Sequence, residues 1–155
     1  MRLLLAVAAC SAVLAATARP ASTQDDWTQG VDHICLHALL FDHSHAIGTE
    51  QGARAVARDI RASTAHRLER ITELRARPDR PLLAADWLRT ERDLADLYAA
   101  TYLQIWRAID GANSPAARRR LVPVVRRLVH RPDALRASGE ALERALSVPD
   151  CTGGD

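Results

Sequence analysis

Lysine is absent from this chain of 155 residues, so all 21 basic residues are arginine, which we interpret first as the codon usage of a GC-rich genome. Aromatic residues are also scarce, at 4%, so leucine, valine, isoleucine and alanine must form most of any core. The formal net charge is only +2, which argues against nucleic acid as a partner because overall charge does not favour polyanion binding. The size predicts one domain.

Sequence motifs for catalysis are missing as well. The chain has no glycine-rich phosphate loop, no zinc-protease helix motif and no haem-attachment Cys-x-x-Cys-His. Cys35 and His37 are close in sequence, but on a helix they point about 200° apart and cannot form a catalytic pair. We therefore predict that the protein is not an enzyme and has no cofactor.

The one long apolar run, Leu3 to Ala16, follows Arg2 and precedes the small-x-small stretch Ala16-Thr17-Ala18. This pattern predicts a secretory signal peptide over residues 1–18, a polar lead-in over residues 19–26, and no transmembrane span in the mature chain. An alternative is a lipobox ending at Cys10, which would then carry a lipid anchor. Both interpretations predict an extracytoplasmic protein.

Only three cysteines are present. Loss of the leader would remove Cys10 and leave Cys35 and Cys151, which we predict to form one disulfide in an oxidising compartment. The bridge would close a loop of about 115 residues and tie the C-terminal tail to the first helix. The alternative is two unpaired thiols.

Apolar residues recur at helical spacing throughout residues 27–155 and predict a single all-α domain. Its expected architecture is an antiparallel bundle of four main helices plus a short C-terminal one, closed by the disulfide. We expect the third helix to be central and Pro123 to kink or split the fourth. The first helix should run from Asp25 or Asp26 to Gly48, and the others over residues 49–77, 81–110, 115–130 and 132–146.

Four of the six histidines lie between residues 33 and 45. His33 and His37 are four residues apart, so both rings would project from one helical face and could share a copper or zinc ion. Asp32, Asp42, Glu50 or His66 could complete the coordination. The alternative is that these are ordinary surface imidazoles.

Seven arginines and one acid occupy residues 112–136. Arg118, Arg119, Arg126 and Arg127, with Arg120 and Arg131, predict an anion-binding face on an amphipathic helix, for lipid headgroups, wall polymers or an acidic partner. Two alternatives remain: a solvated arginine-rich face, or a face whose charge is partly cancelled by the acidic first helix nearby.

The order of leader, helix with an early cysteine, long Arg/Glu/Leu helices and a Leu-x-x-x-Asp-Cys tail (Leu146 to Cys151) resembles small secreted or lipid-anchored helical proteins of unknown function from high-GC bacteria. The resemblance implies a disulfide-closed helical bundle and no activity. We predict an extracytoplasmic, non-catalytic binding module whose partner is a protein, a small molecule or an anionic envelope component; the alternative is a metal-binding bundle.

Overall fold

The computed structural model describes residues 23–38 and 49–148, which form five helices and no strand. These are α1 (Thr23–Ala38), α2 (Glu50–Thr72), α3 (Pro81–Asp110), α4 (Pro115–Val129) and α5 (Asp133–Leu146). The predicted all-α class is confirmed. The expected signal peptide, Cys10, the helix end at Gly48 and Cys151 lie outside the described residues.

Local capping chemistry sets several helix starts. The Thr49 hydroxyl accepts the amide N–H of Gly52 at 3.0 Å, and the Ser114 hydroxyl accepts that of Ala117 at 3.1 Å. Each bond satisfies an amide that has no partner within the first turn of its helix. Pro81 and Pro115 occupy the first helical positions, where the missing N–H costs nothing. These starts agree with the sequence prediction.

Two predicted helix bounds are wrong, the end of the second helix and the start of the first. The second helix ends at Thr72 rather than Arg77, because its last turn tightens: the Leu74 amide bonds to the carbonyl of Ile71, three residues back. Of the two effects expected at Pro123, a split does not occur, since α4 continues through this residue. A proline removes one hydrogen bond from the ladder, but the rest of the turn can hold. In addition, α1 starts at Thr23, within the expected lead-in.

The third helix is central, as predicted, because α2, α4 and α5 all approach it. On one side, Arg61 of α2 pairs with Asp96 of α3, and Arg67 pairs with Glu91. Residue numbers therefore rise along α2 as they fall along α3, so these two helices are antiparallel.

Two further helices, α5 and α4, also pack against α3. Glu143 of α5 contacts Trp87, whereas Arg131, just after α4, donates to the side chain of Gln104. Thus α5 lies beside the N-terminal half of α3, and the end of α4 lies beside its C-terminal half. Gly139 of α5 lies beside Glu91 and Glu143 beside Trp87, so α5 runs antiparallel to α3.

The core lies at the end where α1, α2, α3 and α5 meet. It is built around Trp87, which is fully buried and packs edge-to-face against Trp27 with ring centroids 6.2 Å apart. The cluster contains ten buried residues: Trp27, Val31, Ile34, Cys35, Leu68, Ile71, Ala84, Trp87, Leu146 and Val148. At the opposite end α4 has no buried residue at all.

A glycine lets α1 pack closely against the chain just after α2. A β-carbon at Gly30 would lie 2.8 Å from Cδ2 of Leu74, closer than side chains normally approach. Leu74 packs against the core cluster, and the lack of a side chain at Gly30 leaves room for this leucine.

None of the helices in residues 23–38 and 49–148 has the length and apolar character needed to cross a bilayer.

Candidate functional site

The arginine-rich helix α4 is the most distinctive surface of the described chain. It contains five arginines and no acidic residue, and all five arginines are exposed. Ser114 and Pro115 start the helix directly before Arg118, Arg119 and Arg120. We call the exposed arginines of α4 together with Arg131 the basic face.

The hydrogen bonds that the basic face makes leave its charge uncompensated. Arg118 donates to the carbonyl of Ala112, Arg127 to that of Pro123, and Arg131 to the amide oxygen of Gln104. These acceptors are neutral. Within residues 23–38 and 49–148, the side chains of Arg119, Arg120 and Arg126 make no hydrogen bond or ion pair.

The first carboxylate that follows α4 in the sequence already has two partners. Asp133, at the start of α5, lies 2.9 Å from Nδ1 of His130 and 3.5 Å from Nη2 of Arg136. Among the described residues, the charge of every arginine of α4 is therefore uncompensated, and the local potential is far more positive than the net charge of the chain indicates.

The expectation that the acidic first helix cancels this charge is wrong for the described residues. The exposed acids Asp25 and Asp26 belong to α1, which approaches the backbone of α2 and not that of α4. Trp27 of α1 meets α3 at Trp87, whereas Arg131, just after α4, reaches α3 at Gln104. These two contact positions are about 25 Å apart along the axis of α3.

The predicted metal ligands are only partly described. His33 is exposed on α1, and the helical backbone of α1 places His37 one turn further on. In residues 23–38 and 49–148, no group of three or more His, Cys, Asp and Glu residues is arranged to hold a metal ion. Asp42, His43 and His45 lie outside this part of the chain, so the metal hypothesis stays a prediction.

The other proposed ligands lie apart on the surface. The carboxylate of Glu50 pairs with Arg54 at the start of α2, and Nδ1 of His66 lies 4.0 Å from the carboxylate of Glu69. Asp32 is half-buried on α1.

A buried charged network that sequence reasoning missed joins three helices. Glu91 of α3 is only 2% exposed and accepts a hydrogen bond from Nη2 of Arg67 of α2 at 3.0 Å. One turn earlier on α3, Trp87 donates its indole N–H to the buried Glu143 of α5 at 3.4 Å. Since buried charges are costly unless they are paired, these contacts constrain how α2 and α5 can sit on α3.

A glycine lies beside these buried groups. A β-carbon at Gly139 would lie 3.4 Å from Oε1 of Glu91, at the edge of ordinary van der Waals contact, so α5 passes close to this carboxylate. The one signal in the sequence for these buried carboxylates is weak: Glu91 and Glu143 lie on the apolar stripes of their helices.

Comparisons with known proteins place no constraint on the site. No protein-family model matches the chain, and no curated protein or solved structure is significantly similar to it.

The buried pair Arg67–Glu91 should be strongly coupled. In a double-mutant cycle with Arg67→Met and Glu91→Gln, we expect a coupling energy of about 2–3 kcal/mol, because either single change strands a buried polar partner. The exposed pair Arg61–Asp96, treated in the same way, should give below about 1 kcal/mol. Urea unfolding followed by circular dichroism measures both, and equal coupling at the two pairs would contradict the structural role of Glu91.

Proposed function

We propose that the protein is an extracytoplasmic, non-catalytic helical module that binds an anionic partner through the basic face of α4. The observation that carries this proposal is that, among residues 23–38 and 49–148, no carboxylate pairs with Arg119, Arg120 or Arg126. Arginine pairs well with phosphate, sulfate and carboxylate groups because its guanidinium offers several donors in a planar fork.

The position of α4 supports a binding role over a purely structural one. Among the described helices α4 approaches only α3, and none of its residues is buried. Its inward residues are half-buried, so the helix contributes less to the core than α1, α2 or α5. An external partner can therefore reach the basic face without disturbing the buried end of the molecule.

Retention on immobilised dextran sulfate tests this function. We expect the wild-type protein to bind and to elute with salt, and Arg119→Glu/Arg126→Glu to elute at clearly lower salt, because each lost ionic contact weakens the salt dependence of polyanion binding.

The matched control is Arg58→Glu/Arg70→Glu, which reverses two exposed arginines of α2 and changes the net charge equally. Its elution should stay closer to that of the wild type. The same shift for both variants would mean that only overall charge matters, and no retention of the wild type would reject the function.

We also propose that the helices form a bundle closed by a disulfide between Cys35 and Cys151. Cys35 is buried on α1 in the same cluster as Leu146 and Val148, with which the chain leaves α5. Cys151 follows three residues after Val148, and three residues span at most about 10 Å. The packing of Val148 thus supports delivery of the tail to Cys35.

Opening this bridge should lower the free energy of unfolding by about 4–5 kcal/mol on the chain-entropy model, because the loop is long. Cys151→Ala is the sharper variant, since it leaves the buried Cys35 side chain in the core. Its stability in urea should match that of the reduced wild-type protein. Alkylation of Cys35 and Cys151 in exported protein without reductant would disprove the bridge.

A further inference from the structure

Two valines interrupt the basic face of α4. Val122 is 60% exposed and Val129 is 52% exposed, although both belong to a helix that packs against α3. They are seven residues apart, so they lie nearly in line along the helix, about 10 Å from one another. Arg126 lies between them on the same side, and Arg118 and Arg119 lie one turn before Val122.

These valines do not lie on the side of α4 that faces the core. Leu121, Val125 and Leu128 are half-buried and already cover the contact with α3. Single exposed apolar residues are common on protein surfaces and need no explanation. Here, however, two of them share a line with three arginines on a helix that has no other covering element among the described residues.

The alternation of valine and arginine distinguishes between kinds of anionic partner. A soluble polyanion offers charge to the guanidinium groups but nothing apolar to the valines. The surface of an anionic bilayer offers both phosphate groups and acyl carbons, and the long arginine stems can keep their charged ends at the headgroups while apolar atoms enter.

We infer that the anionic partner of the basic face is a phospholipid bilayer surface, on which α4 lies flat with Val122 and Val129 inserted among the headgroups. This inference rests on the proposed function and specifies its partner. The 15 residues of α4 give a contact about 22 Å long, enough to cover several headgroups.

Sedimentation with lipid vesicles tests the inference. The wild-type protein should bind phosphatidylcholine vesicles that contain phosphatidylglycerol at least about tenfold more strongly than vesicles of phosphatidylcholine alone, because several arginines act together near the surface. Val122→Ser/Val129→Ser should weaken binding to the anionic vesicles by about tenfold, the loss expected from two partly inserted side chains.

Two controls separate the possible causes. Leu36→Ser/Leu82→Ser replaces two other exposed apolar residues and should leave vesicle binding unchanged. The valine variant should keep wild-type retention on dextran sulfate, since its arginines are intact. Circular dichroism should show that both variants are folded, because all four replaced side chains are exposed.

The outcomes distinguish the two proposals. Equal vesicle binding by the wild type and the valine variant would overturn the insertion of the valines. A wild type that binds dextran sulfate but not anionic vesicles would overturn it as well, and the binding function would then survive with a soluble partner. A wild-type protein that binds neither dextran sulfate nor anionic vesicles would reject the proposed binding function itself.

Discussion

The indole of Trp87 is the contact on which the arrangement of the helices depends. Its ring packs edge-to-face on Trp27 of α1, and its N–H reaches Glu143 of α5. The same buried cluster includes Leu68 and Ile71 of α2. One side chain of α3 therefore touches or shares a core with three other helices, and its polar atom fixes the orientation in a way that apolar packing alone does not.

The buried pair Arg67–Glu91 extends this constraint by one turn of α3. Beyond it the buried residues are small, such as Ala53 and Ala57 of α2 and Ala99 of α3, and α4 buries nothing. The large buried side chains thus lie at the Trp87 end of the molecule, whereas the basic face lies on the helix that adds no buried residue. Local stability follows burial, so regions with few buried contacts are those that adapt to a partner.

Features that depend on neighbours along the chain could be predicted from the sequence. The caps at Thr49 and Ser114 and the start of α3 at Pro81 are local. The buried residues Trp27, Val31 and Ile34 follow one another at spacings of four and three, which is the period of one helical face. Features that depend on other helices could not. Arg67 is mostly buried because Glu91 lies opposite it on α3, and the sequence of α2 alone does not show this neighbour.

The relative placement of helices that are distant in sequence explains the remaining differences between the predictions and the structure. The sequence shows that α1 is acidic and α4 basic, but not that they meet opposite halves of α3, so cancellation of their charges was a reasonable and wrong expectation. The burial of Ala53 and Ala57, the most enclosed residues in the first half of α2, was also missed, because small residues become core positions only where a second helix comes close. The histidines and the tail cysteine remain sequence predictions.

Native-state hydrogen exchange read by mass spectrometry tests the division into two ends most directly. Amides of α3 around Trp87 should exchange only through global unfolding, whereas those of α4 should exchange much faster and become protected when anionic vesicles are added. Uniform protection of α3 and α4, with no change in α4 on vesicles, would contradict this account.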